Sequence, residues 1–217
     1  MRTPSTPASD QWAAWTPEET AEYFGASGVR WWLSGGVALE RWHGEPIREH
    51  ANIDVSTLLP DVRALAAALP SHVSAWACMP GGLVPLADLP EDADIQKVDI
   101  HDDERGAWVL RINVEDGAPR AWVYRRDPRL MLPWDKAVLD VDGIPTGAPA
   151  VQLLWKALRP RPVDDLDKDA ILPKLSDEER AWLETALLRI HPHSSWAIHV
   201  RSPFAPAKAS WNRKRPS

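Results

Sequence analysis

The hydrophobic pattern changes character about two thirds of the way along the chain, where short apolar strands interleaved with helices give way to helix alone. Thr16-Pro17-Glu18-Glu19 reads as an N-cap, a proline at the first helical position and an acidic first turn. A strand is predicted around Arg30–Leu33, a helix from the Gly35-Gly36 turn to about His43, a strand over Asn52–Thr57 and an Ala- and Leu-rich helix over Asp61–Leu69. Val73–Cys78 reads as a strand, and Pro80–Asp94, rich in Pro, Gly and acids, as a long loop. Gln96–Ile100 and Ala107–Val114 are predicted to pair as a hairpin, with short strands at Trp122–Arg125 and Val138–Asp140. Helices follow from Ala148 to Arg159, from Val163 to Leu172, and from a Ser176 cap with Glu179 in the capping-box position to about Ile190. This pattern predicts an α/β (α+β) fold, a mixed sheet with flanking helices and a C-terminal helical region. The expected divisions are a loose tail over 1–15, an α/β domain over 16–145, helices over 146–199 and a loose basic tail over 200–217.

The chemistry concentrates between Trp31 and Asp54. Ser34, Gly35 and Gly36 join a strand to a helix, so backbone N–H groups and the positive end of that helix can face an anion such as phosphate. Asn52 and Asp54, two apart on the predicted strand, are expected to leave it on one face and converge on a ligand or metal.

These residues resemble the nucleotidyltransferases of the aminoglycoside- and lincosamide-modifying type. That family shares a Gly-Gly-Trp-Ala-(Ile/Leu)-Asp stretch and then Arg-x-His-x-Asp-(Ile/Leu)-(Asp/Glu). Here they read Gly35-Gly36-Val37-Ala38-Leu39-Glu40 and Arg48-Glu49-His50-Ala51-Asn52-Ile53-Asp54. Further segments at 122–129, 142–145, 148–156 and 160–167 follow in the family's order. The resemblance implies a nucleoside triphosphate as substrate or ligand, Mg²⁺ as its metal, a small molecule bearing the acceptor hydroxyl, and a helical half that closes over the cleft. It implies Ser34, Gly35, Gly36, Arg48 and Lys156 as nucleotide contacts, with Lys156 and Asp167 as an interhelical pair.

The chain departs from the family in its carboxylates. Such enzymes hold two Mg²⁺ with three of them. The first position here is Asn52, which carries no charge for a hard cation, and Asp54 is kept. Two registers compete for the third. Counting back from Trp122 puts Arg111 there, whereas matching Val98-Asp99-Ile100-His101 to the family's Val-Asp-Leu-His puts Asp99 there. With Arg111, the three positions sum to about zero instead of about −3. Arg111 could then pair with Asp54 or hold phosphate through its planar fork, and Asn52 would be a recognition group. If metal-dependent transfer survives, Asp54 with Asp99 or Glu115 would carry it, and Asp99 is the candidate base. The readings left open are a degenerate transferase, a metal-independent nucleotide or small-molecule binder, and a scaffold for a protein partner.

Composition narrows the partners. A net charge of −6 argues against a general nucleic-acid surface, and the basic stretch Arg213-Lys214-Arg215 is too short to reverse it. Cys78 is the single cysteine, so no internal disulfide forms, and a cytoplasmic location is expected. No apolar run suits a membrane span, and the N-terminus lacks the layout of a signal peptide. His191, His193 and His199 have no cysteine or carboxylate to complete a zinc site. The 13 Trp against 2 Tyr and 2 Phe are expected to fill most aromatic core positions.

Overall fold

The computed structural model describes residues 6–7 and 10–201, and the chain divides between Ala148 and Pro149 into two compact units. In the first unit, α1 (Pro17–Phe24) starts at the Thr16–Glu19 capping box that the sequence predicts. β1 (Trp31–Ser34), α2 (Gly35–His43), β2 (Asp54–Leu58), α3 (Val62–Ala67) and β3 (Val73–Met79) follow. β4 (Gly82–Pro85) falls inside the segment expected to be loop, and it pairs antiparallel with β3 across the Pro80-Gly81 turn, opening on Gly82 at φ 120°. β5 (Lys97–Asp102) and β6 (Ala107–Ala118) form the expected hairpin. The unit ends with β7 (Ala121–Val123), β8 (Met131–Pro133), α4 (Trp134–Ala137), β9 (Val138–Val141) and β10 (Ile144–Gly147).

The strands form a mixed sheet in the order β4-β3-β5-β6-β2-β1-β10-β9, with β7 pairing with both β6 and β8. The β2–β6 and β1–β10 pairs are parallel and the others antiparallel. Cross-strand register sorts the residues into rows. Leu33, Val55, Ile112, Val98 and Ala77 are partners in one row, and each is fully buried in the core with Trp15, Phe24 and Leu65. Burying a Val, Leu or Ile side chain contributes about 1.5–3 kcal/mol, so this row resists slippage. The next row, displaced by one residue and therefore on the opposite face, is Ser34, Asp54, Arg111, Asp99 and Trp76.

Two further segments differ from their sequence-based expectation. The strand predicted from Asn52 begins at Asp54, and Asn52 lies in a bend before it, so the alternation that would have put both side chains on one face does not apply. Gln11–Trp15, expected within a loose tail, lies along the start of β6. Trp108 N–H donates to Gln11 O, Ala13 N–H to Trp108 O and Trp15 N–H to Val109 O, while Trp15 is buried in the core against Tyr23. The basic stretch at 213–215 lies outside the described residues.

The second unit holds α5 (Pro149–Lys156), α6 (Pro162–Ile171), α7 (Asp177–Ile190) and α8 (Trp196–Arg201). The first three correspond to predicted helices, and the Ser176–Glu179 capping box opens α7. Lys156 Nζ on α5 lies 2.8 Å from Asp164 and 3.0 Å from Asp167, and both carboxylates are buried on α6. Burial alone would raise the Asp164 carboxyl. Bonds from the Arg161 and Lys156 side chains and from the Arg161 amide outweigh it and hold Asp164 below the ordinary carboxylate range. Removing the ammonium takes away the cation that two buried carboxylates share. Lys156→Met is therefore expected to lose about 3–5 kcal/mol of stability at pH 7, measured by urea unfolding. Because the Asp164 pKa is depressed, the part of this loss that Asp164 carries is present above pH 3.8 and shrinks as pH falls below it.

Candidate functional site

β1 runs straight into α2 at Ser34–Gly35, and the turn is possible only with glycine. Gly35 has φ 68°, and a Cβ there would stand 2.9 Å from Asp54 Oδ2. A Cβ on Gly36 would meet Arg48 Nη2 and lie 2.6 Å from the His50 ring. The two glycines thus bring backbone against a carboxylate on one side and a guanidinium and an imidazole on the other. Ser34 Oγ, next to the turn, is buried with no hydrogen-bond partner among the described residues.

Glu40 on α2 orders the loop that supplies Arg48 and His50. Its Oε2 accepts from Ile47 N–H at 2.8 Å, Arg48 N–H at 3.4 Å and His50 Nε2 at 3.1 Å. Burial would raise this carboxyl, yet the bonds from Ile47, His50 and Arg48 together hold its pKa below the ordinary value. Sequence reasoning placed Glu40 in the family stretch without giving it this task.

Asp54, Arg111 and Asp99 stand side by side on three neighbouring strands. The two positions that competed for the third carboxylate are thus cross-strand partners. Arg111 Nε donates to Asp99 Oδ1 at 2.7 Å and Nη2 to Oδ2 at 2.9 Å, a bidentate fork that takes both oxygens. That bond, opposed by burial and assisted by the charges of Asp99 and Asp54, raises the Arg111 pKa and keeps the guanidinium charged. Asn113 Nδ2 faces Asp54 Oδ1 at 3.4 Å. Cys78 Sγ lies 3.5 Å from Asp99 Oδ2, and burial followed by the Asp99 charge pushes the thiol up to about 11, so it stays protonated at neutral pH. Glu115, two residues beyond Asn113, accepts from Trp122 Nε1 and is buried. No group of three or more His, Cys, Asp or Glu arranged to hold a metal occurs among the described residues.

The first unit therefore brings together Ser34, Gly35, Gly36, Arg48, Asp54, Arg111 and Asp99. Asn52 lies in the bend just before β2, and Lys156 is engaged by Asp164 and Asp167 in the second unit.

A family model described as aminoglycoside-2''-adenylyltransferase matches residues 19–105, a span that includes the turn, Arg48, Asp54 and Asp99. The solution structure of the antibiotic-resistance factor ANT(2'')-Ia aligns with a TM-score of 0.53 at 12% identity, covering 79% of this chain and 89% of that one. The lincomycin-bound lincosamide antibiotic adenylyltransferase LnuA aligns at 0.50 and 16% identity, covering 71% and 92%. Over residues 19–105 the chain is similar to the aminoglycoside-2''-adenylyltransferase family, and its fold is similar to that of these two nucleotidyltransferases. ANT(2'')-Ia in complex with adenylyl-2''-tobramycin gives 0.51 at 12% identity, covering 79% and 95%. No curated protein gives a significant sequence match. At these identities the structural alignments carry the nucleotidyltransferase-like fold, and the site is read from its own residues.

Glu40→Ala leaves two loop amides and His50 without their acceptor and is expected to lose about 1–2 kcal/mol in urea unfolding at pH 7. A depressed carboxyl stabilises fully above its unfolded pKa. The gap between wild type and variant should therefore close as pH falls below 4.5, the ordinary value, and through the lower folded one.

Proposed function

We propose that this protein binds the phosphates of a nucleoside triphosphate at the Gly35-Gly36 turn, together with a small molecule, on a nucleotidyltransferase fold whose two-metal centre is degenerate. The observation that carries this reading is the bidentate Arg111–Asp99 pair standing in one row with Asp54. Two Mg²⁺ ions need several anionic oxygens converging on them. In this row a guanidinium stands next to Asp54, both oxygens of Asp99 are engaged, and Asn113 offers Asp54 an N–H donor. The formal charge of Asp54, Arg111 and Asp99 together is about −1. These residues do not fit a pair of divalent cations.

An anion is the better match. The α2 backbone amides at Gly35–Gly36, the Arg48 guanidinium packed on Gly36 and the Arg111 fork are cationic or donor groups, and a triphosphate supplies the acceptors. Asp99 in this reading holds Arg111 in place and is not the base for an acceptor hydroxyl. The family match supports an adenine nucleotide and an antibiotic-like hydroxyl compound as the first ligands to try. Lys156 is left out of the binding set, because its ammonium is spent on Asp164 and Asp167.

Calorimetric titration of ATP, GTP, CTP and UTP into the purified protein, with Mg²⁺ and again with EDTA, tests the reading. At least one nucleotide is expected to bind in EDTA with an affinity within about threefold of that in Mg²⁺. Arg48→Ala, which removes a charge-assisted phosphate contact, is expected to weaken binding by about tenfold or more. Binding that requires Mg²⁺ would instead favour metal-dependent transfer built on Asp54.

A further inference from the structure

Arg111 is fixed on two sides, and the second side is a residue far away in sequence. Asp99 grips its Nε/Nη2 edge, while the indole of Trp12 lies against the guanidinium with Cζ 5.1 Å from the ring centroid. Nη1 makes no hydrogen bond among the described residues, and the side chain retains 28% exposure. The result is a cation with one edge bound, one edge open and a ring packed against it.

Trp12 is put there by backbone pairing. Gln11–Ala13 lies parallel to β6 at Trp108, along the edge that β2 takes over from Ile53 onward, where Arg111 N–H donates to Ile53 O at 3.0 Å. A register shift between β5 and β6 sets Trp108 opposite His101, and their rings meet edge to face at 5.1 Å. Trp12 packs on Trp108 at 6.5 Å, so its ring is supported from below. Trp15, buried, and the Arg105–Glu19 ion pair at 3.0 Å hold the C-terminal side of the strap.

We propose that Trp12 is a positioning residue of the anion site: together with Asp99 it holds the Arg111 guanidinium so that Nη1 presents to a phosphate ligand. The proposal rests on the phosphate-binding reading above and adds the N-terminal strap to it. An arginine held this way gives up little rotamer entropy when an anion arrives, and the ring's negative face stabilises the charge that the anion leaves uncompensated.

The test is titration of tripolyphosphate in EDTA into the full chain and its Trp12→Phe, Trp12→Leu, Arg111→Lys and Trp12→Leu/Arg111→Lys variants, with thermal unfolding confirming that each is folded. Trp12→Leu keeps apolar bulk but removes the quadrupole, and is expected to weaken binding about fivefold. Trp12→Phe should stay within about twofold of wild type, and Trp12→Leu should add nothing in the Arg111→Lys background. Hydrogen exchange at Arg111 Nε–H, read by NMR without ligand, should be faster in Trp12→Leu. If Arg111→Lys weakens binding while Trp12→Leu binds like wild type, the role of Trp12 is overturned and the phosphate site stands. If wild type does not bind, or Arg111→Lys has no effect, the phosphate reading falls and takes this role with it.

Discussion

Two adjacent rows of one sheet hold the site together. Leu33, Val55, Ile112, Val98 and Ala77 point into the core, and one residue along each strand Ser34, Asp54, Arg111 and Asp99 point to the other face. A one-residue slip in β2, β5 or β6 would move a charge into the core and take an aliphatic side chain out of it, costing several kcal/mol on both counts. The juxtaposition of Asp54, Arg111 and Asp99 is therefore a consequence of the core. Given that alignment, Arg111 must answer a carboxylate on either side, and its planar fork closes on Asp99.

That choice sets the electrostatics of the charged row. Asp99 is neutralised and its oxygens are occupied, while the Cys78 thiol beside it stays protonated. Asp54 is left beside the Gly35 turn, where its carboxylate excludes any side chain at that position. The loop that brings Arg48 against Gly36 is ordered separately by Glu40, which stands where the family has aspartate. The longer glutamate reaches two backbone amides and His50, so the departure from the family stretch carries a structural task. In the proposed reading, the helix-start amides and the two guanidinium groups are the groups that meet an anion.

Much of this was legible in local sequence. Thr16-Pro17-Glu19 and Ser176-Glu179 announce helix starts because capping is a matter of three or four consecutive residues. The Gly35-Gly36 turn and the β5–β6 hairpin are local as well, and the fold class followed from them. Pairing between distant segments was not legible. Arg111 and Asp99 read as rival occupants of one position, whereas register makes them partners. β4 hid in a segment of Pro, Gly and acids, and β8 and β10 are short strands that gain their identity from neighbours instead of periodicity. Trp12 offered no local signal either. An aromatic residue just after a Pro- and Ser-rich stretch acquires its role only when Trp15 anchors the segment beside β6.

The proposed reading puts a fixed guanidinium in the charged row in place of a pair of metals. Manganese titration followed by electron paramagnetic resonance addresses it directly, since free Mn²⁺ gives a strong signal that binding quenches. Wild type is expected to leave that signal unchanged at micromolar Mn²⁺, and Arg111→Asp, which puts three carboxylates side by side at positions 54, 111 and 99, is expected to quench it. Quenching by wild type, lost on Asp54→Asn, would mean that a metal centre survives beside Arg111 and that the guanidinium has not replaced it.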